Sequence, residues 1–262
     1  MKNKTIPTFE GAVADIPDGA SLMVFQWAMG RSCPRNLIRA LYEKGVKNLT
    51  IISHNFTFPR LGRHIFDFAE NVTPLIFADR VKKIITPVLG EGLIWGQASL
   101  LEQRIAAGEV EVEITSHGNM AERIRAGGSG LGGFYTPVGI GTILEKGKEK
   151  RVIDGKEYIL EKPLRADFGL VRAYKADKMG NLVYRGSVRS CNPLIAMACD
   201  VTIAEVDEIV EVGDLAPEVI VTPGIYVDRI VNIPEGGWGS ASYMESLFRK
   251  TFQSQLNKHG EE

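Results

Sequence analysis

Residues 21–53 restrict the possible folds more than any other stretch of this chain. An apolar, strand-like run from Ser21 to Trp27 breaks at Gly30 and restarts as Pro34-Arg35-Asn36-Leu37-Ile38-Arg39-Ala40-Leu41. Pro34 suits a first helical turn, where its missing N–H is not needed, and Gly45 suits a left-handed stop. The next apolar run, Leu49-Thr50-Ile51-Ile52-Ser53, reads as a second strand. A strand, a helix and a strand in this order predict a parallel crossover, and with it an open α/β sheet.

The remaining segments extend that pattern. Val81 to Thr86 reads as a strand, Leu100 to Ala107 as a helix ended by Gly108, and Val110-Glu111-Val112-Glu113-Ile114 as a half-exposed strand with strict alternation. His54 to Phe77 has no clean period and is expected to be a loop with a short helix that covers a site. Asn119 is expected to cap a helix carrying Glu122, Arg123 and Arg125. Residues 145–156 read as a charged connection. Phe168 to Tyr174 and Leu182-Val183-Tyr184 form a hairpin about Asp177-Lys178-Met179-Gly180-Asn181. Pro193 to Ala198 predicts a short helix and Val201 to Val206 a buried strand, and beyond Ile230 the periodicity is lost. The expected architecture is an open, twisted, mostly parallel sheet flanked by helices with a small antiparallel portion, in a single domain over 1–262 whose tail, 232–262, is of uncertain order.

At 262 residues and 44% hydrophobic content the chain can bury a substantial core. Thirty-one basic against 32 acidic residues, a net charge of -1, give no broad field for nucleic acid or anionic lipid. Met1 to Pro7 is polar and basic with no apolar run behind it, and no stretch reaches the ~20 apolar residues that cross a bilayer, so a soluble, cytoplasmic protein is expected. Cys33, Cys191 and Cys199 lack ligand spacing, as do the four histidines, and neither a disulfide framework nor a metal site is expected.

The run Gly127-Gly128-Ser129-Gly130-Leu131-Gly132-Gly133 is either a flexible connector or a backbone that must approach something closely. It matches neither the P-loop nor the dinucleotide fingerprint.

Ordered blocks carry a resemblance over about Ile16 to Val231. They are Ala121-Glu122-Arg123-Ile124-Arg125-Ala126-Gly127-Gly128, Phe134-Tyr135-Thr136-Pro137 with Gly139-Ile140-Gly141-Thr142, Ala166-Asp167-Phe168, Lys175-Ala176-Asp177, Gly180-Asn181-Leu182-Val183-Tyr184-Arg185, Asn192-Pro193, and Thr222-Pro223-Gly224-Ile225-Tyr226-Val227-Asp228-Arg229-Ile230. Together they resemble the alpha subunits of family I CoA-transferases of the 3-oxoacid and acetate/acetoacetate type. The resemblance implies a partner beta subunit, in a heterodimer or heterotetramer, with the active site between the two. It implies acyl-CoA and carboxylic acids as substrates and no tightly bound cofactor. The nucleophile it implies is a glutamate in a Ser-Glu-Asn-Gly motif of the beta subunit; here Glu70-Asn71 is preceded by Ala69 and followed by Val72, and does not qualify.

Two departures fall at positions the resemblance marks as important. The family's Gly-Gly-Phe after the first strand is replaced within Phe25-Gln26-Trp27, and the loop through Gly30 and Arg31 to Pro34 is about one residue longer, which places bulk where backbone should approach substrate. Arg31 either pairs with a substrate carboxylate or CoA phosphate or is solvated. The second departure is Thr115-Ser116-His117-Gly118-Asn119, where the family reads Thr-Pro-Gln-Gly-Thr with the glutamine as oxyanion donor. His117 either replaces that donor or acts as a general acid or base. His54 and Asn55 also follow a strand, at positions the resemblance brings close to the site. Candidate catalytic residues are therefore His117, His54 and Asn55; candidate substrate-binding residues are Phe25, Gln26, Trp27, Gly30, Arg31, Gly118, Gly127 and Gly128. CoA transfer between short-chain acids is the expected function. The alternatives are a lyase, decarboxylase or hydrolase on the same scaffold with His117 as acid or base, and a non-catalytic acyl-CoA-binding subunit.

Overall fold

The computed structural model describes residues 2–25, 32–54, 72–89, 98 and 100–237. In chain order these form α1 (Phe9–Ala12), β1 (Ser21–Met23), α2 (Arg35–Lys44), β2 (Leu49–Ile52), α3 (Thr73–Phe77), β3 (Val81–Thr86), α4 (Leu100–Ala106), β4 (Glu111–Ile114) and α5 (His117–Gly128). There follow β5 (Phe134–Thr136), β6 (Lys150–Ile153), β7 (Lys156–Glu161), β8 (Ala166–Asp177), β9 (Leu182–Val183), α6 (Asn192–Ala198), β10 (Cys199–Val210) and β11 (Arg229–Asn232).

The main sheet runs β11-β10-β8-β1-β2-β3-β4, with β9 paired to β8. All its pairings are parallel except β8 with β9. The opening crossover is as expected: β1 pairs with β2 through Leu22 and Ile51, and α2 ends at Gly45, whose φ of 83° is the left-handed stop. Successive strands step from β1 out to β4, and the chain then returns to the other side of β1 as β8. Strand order therefore reverses between β1 and β8, and ligands of open α/β sheets gather at the carboxyl ends of strands flanking such a reversal.

Both faces of the sheet are covered, so its strands are apolar at consecutive positions. Leu22, Ile51, Ile84, Leu170 and Ile203 pack to one side with Leu37, Ile38 and Leu41 of α2. Their neighbours Met23, Ile52, Ile85, Val171 and Ala204 pack to the other with Met120 and Ile124 of α5 and Ile195 of α6. Each fully buried leucine or isoleucine contributes roughly 1.5–3 kcal/mol.

The antiparallel part is larger than expected. Besides the β8–β9 hairpin, β5, β7 and β6 form a separate three-stranded sheet, of which β6 falls within residues 145–156, expected to be a charged connection. Its hairpin turns at Asp154-Gly155, with φ of 50° and 76°, the two left-handed residues of a type I′ turn.

Candidate active site

At the carboxyl ends of neighbouring strands the chain gathers Phe25 beyond β1, Ser53 and His54 after β2, Thr86 closing β3, and Thr115 after β4. All five are buried. Parallel pairing brings them together: Ser53 donates its N–H to the Ile85 carbonyl at 3.1 Å, and Thr115 donates to the Thr86 carbonyl at 3.1 Å.

Directly after Thr115 the chain turns into α5. The cap is Ser116, not Asn119 as expected: the Ser116 hydroxyl accepts the Asn119 N–H at 3.1 Å, and its carbonyl takes the Met120 N–H at 2.8 Å. Ser116 is extended at φ -86° and ψ 157°, as a cap residue is, whereas Asn119 is already inside the first turn. His117 and Gly118 are thus the first two helical residues, exposed, with no carbonyl one turn back for their N–H groups. Among the described residues a side chain at Gly118 would meet nothing within 4 Å, so their packing does not demand glycine there.

The structure brings three of the predicted residues into one cluster. Phe25 stacks on His54 with ring centroids 5.1 Å apart and 22° between planes, and His54 meets His117 edge-on at 6.3 Å and 62°. Burial drives the His54 pKa down to about 4, with the charge on His117 contributing less. At neutral pH His54 is therefore a neutral imidazole, donor at one nitrogen and acceptor at the other. The arrangement sets a buried neutral ring and an exposed ring around the open N-terminus of a helix, where developing negative charge is stabilised.

Two predicted contacts are corrected. Gly127 and Gly128 do not face the site: a Cβ on Gly127 would lie 2.0 Å from the Leu164 carbonyl oxygen, and one on Gly128 would lie 2.7 Å from Met197 Cβ. Glycine is needed there because α5 presses against the chain entering β8 and against α6. Arg123 is likewise internal, with Nη1 2.8 Å from Glu113 and Nε donating to the Lys162 carbonyl at 2.8 Å. Gln26, Trp27, Gly30, Arg31 and Asn55 lie outside the described residues, as does the Glu70-Asn71 pair.

Sequence reasoning passed over two buried carboxylates. Glu205, fully buried in β10, accepts the N–H groups of Asn36 and Leu37 at 2.9 and 3.1 Å, so the N-terminus of α2 beside the strand reversal is occupied from within. Its Oε1 lies 3.9 Å from Arg172, which also bonds Asp207 at 2.7 Å. Burial lifts the Glu205 pKa to about 7 against the opposing pull of Arg172 and the two N–H donors. Asn192 knits the same region, donating to the carbonyls of Ser32, Arg172 and Val188 at 3.3, 3.0 and 2.8 Å. The readable signal was a lone acid inside the apolar run Val201 to Val206. The second carboxylate, Glu161 of β7, is 1% exposed and bonds Asn119 and Lys148. Among the described residues no cluster of three or more His, Cys, Asp or Glu could hold a metal ion, and no helix is long and apolar enough to cross a membrane.

Residues 6–232 match the family described as coenzyme A transferase. The chain is 42% identical over 231 residues to the alpha subunit of the acetate CoA-transferase of Escherichia coli K12, covering 88% of this chain and 97% of that protein. It is 41% identical over 233 residues to the corresponding subunit of the 3-oxoadipate CoA-transferase of Pseudomonas putida, covering 89% and 95%. Among solved structures, the acyl-CoA transferase apoenzyme of Escherichia coli O157:H7 shares the fold with a TM-score of 0.75 at 23% identity; the match covers 88% of this chain and 47% of that one, about half its length. A variant of the decarboxylase AibA/AibB matches with a TM-score of 0.72 at 25% identity, over 100% of this chain and 97% of that one.

Proposed function

Because this chain belongs to the coenzyme A transferase family, as an alpha-type subunit, we propose that with a beta-type partner it moves CoA between short-chain carboxylic acids, and that His117 supplies the oxyanion donor. The observation that carries this reading is the placement of His117 at the N-terminus of α5, edge-on to the buried, neutral His54. The relatives' names, acetate and 3-oxoadipate CoA-transferases, point to short-chain mono- and dicarboxylic acids as the substrate class. A heterodimer or heterotetramer is the corresponding assembly.

The chemistry divides between the two chains. A glutamate carboxylate of the partner attacks the acyl-CoA carbonyl and expels CoA thiolate, leaving a mixed anhydride. The thiolate then attacks the glutamyl carbonyl, which frees the first acid and leaves a glutamyl-CoA thioester. An incoming carboxylate reverses the sequence and leaves as the new acyl-CoA. Each addition places negative charge on a carbonyl oxygen, and a ring N–H of His117 with the open N–H groups of the first turn of α5 can receive it. His54, kept neutral by burial, places no positive charge of its own beside His117.

The test is mass spectrometry of the co-purified complex after incubation with acetoacetyl-CoA and borohydride trapping. A glutamyl-CoA thioester, or its reduced alcohol, on the partner, together with CoA appearing on acetate, is the expected result. Consumption of acyl-CoA without an adduct would sink the transfer reading. It would favour a second one, in which His117 acts as acid or base in a decarboxylation or cleavage. The exposed imidazole of His117 in place of a non-titrating glutamine, and the end-to-end likeness to a decarboxylase, are the observations behind that alternative.

A further inference from the structure

We infer that Asn119 and Glu161 are positioning residues for His117, the small antiparallel sheet holding the first turn of α5 in its working place through a buried amide-carboxylate bond. The inference rests on the proposed role of His117 as oxyanion donor.

Among the described residues the first turn of α5 has little else to hold it. His117 and Gly118 are exposed, and the first apolar side chain buried against the main sheet is Met120. Gly118 has no side chain with which to pack, and none of the described residues lies within 4 Å of where one would be. Asn119 is the one residue of His117, Gly118 and Asn119 that is buried, at 3% exposure, and its attachment is polar. Its Nδ2 donates to Glu161 Oε1 at 2.9 Å and to the Val138 carbonyl at 3.2 Å, both in the stretch that forms or connects the small sheet. Its main-chain N–H is held by Ser116 at 3.1 Å. The residue two positions beyond His117 is thereby fixed at both main chain and side chain.

Glu161 is built to keep that bond. Its carboxylate, 1% exposed, accepts from Lys148 Nζ at 2.6 Å and lies 3.7 Å from Arg123 Nε, so its charge is compensated from two directions. Arg123, one turn further along α5, also reaches Glu113 of β4 at 2.8 Å, the strand that leads into Thr115 and Ser116. Glu161 therefore ties the helix to the small sheet, and Arg123 ties the same helix to the edge of the main sheet. A bond to a charged acceptor is roughly twice as strong as a neutral one, which suits a tether at a helix end that would otherwise fray. The expected consequence is kinetic: an ångström of play at a donor aimed at a transition-state oxygen costs about 10²-fold in rate without preventing binding.

The experiment is a double-mutant cycle on the complex with its partner, reading kcat and KM for CoA transfer from acetoacetyl-CoA to acetate. Asn119→Ala is expected to lower kcat at least tenfold with KM for acetoacetyl-CoA within twofold of the parent. In a His117→Ala background the same change is expected to have no further effect on kcat. Glu161→Gln, which retains an oxygen for the Asn119 amide, is expected to keep a higher kcat than Asn119→Ala. Equal losses from Asn119→Ala in both backgrounds would show an effect unrelated to His117 and overturn the inference, as would an unchanged kcat or a Glu161→Gln enzyme slower than Asn119→Ala. If His117→Ala itself leaves kcat unchanged, the oxyanion reading is what fails, and the positioning role falls with it.

Discussion

The imidazole of His54 lies edge-on to that of His117 at 6.3 Å, although the first follows β2 and the second opens α5 beyond the edge strand β4. One ring is buried and the other exposed, and that difference gives the two histidines different work.

His54 makes stability depend on pH in a definite direction. Its pKa falls from 6.5 in the unfolded chain to about 4 in the fold, so below 6.5 the unfolded state takes a proton that the folded state refuses. Its contribution is complete above pH 6.5 and is lost as pH falls towards 4; at 1.36 kcal/mol per unit it amounts to about 3 kcal/mol. His54→Gln is expected to remove this contribution, leaving urea midpoints that fall from pH 4.5 to 7.

Glu205 acts in the opposite sense over an overlapping window. Its pKa rises from 4.5 to about 7, so the folded state holds a proton the unfolded state has released, and stability falls as pH rises through that range. Arg172 and Arg35 pull against the burial and, with the N–H groups of Asn36 and Leu37, set the size of the effect. The two slopes largely cancel in the parent chain. Urea midpoints of Glu205→Gln are expected to climb from pH 4.5 to 6.5, exposing the His54 slope, whereas those of His54→Gln fall over the same range. Parallel profiles for the two variants would refute the assignment.

His117→Ala is expected to lower kcat of CoA transfer by about 10²–10³, the usual loss of one oxyanion donor, while His117→Gln, which restores an amide donor, stays within about tenfold of the parent. Steady-state rates at saturating acetoacetyl-CoA and acetate decide the matter; equal losses in the two variants would favour acid or base chemistry at this position.

Two glycines that look alike in the sequence should behave oppositely. Gly127→Ala drives a methyl to 2.0 Å from the Leu164 carbonyl and is expected to destabilise the chain by about 2 kcal/mol or more, read as a lowered melting temperature. Gly118→Ala meets no atom of the described residues within 4 Å, so the melting temperature is expected to hold while a methyl at the front of α5 slows turnover.

Much of the sheet was legible because its signals are local. The apolar runs of β1 to β3, Pro34 and Gly45 around α2, and the turn between β8 and β9 each depend on a few adjacent residues. The Asp154-Gly155 turn was equally local but was hidden by the lysines and glutamates around it, since a hairpin with exposed faces lacks the apolar alternation that announces a strand. Asn119 was mistaken for the cap because Ser116 and Asn119 are both good cap residues, and only the backbone angle separates them.

The sequence by itself determined the α/β class, the parallel opening, the resemblance to CoA-transferase alpha subunits and His117 as the residue to watch. Tertiary structure alone decided that Gly127 and Gly128 press on packed neighbours, and that Glu161 and Glu205 are buried carboxylates and not surface charges. The reason is physical. Strand and helix periods are written over neighbouring residues, but the surroundings of a carboxylate, an imidazole or a glycine Cβ are supplied by segments far away in the chain, which meet only when the sheet has formed.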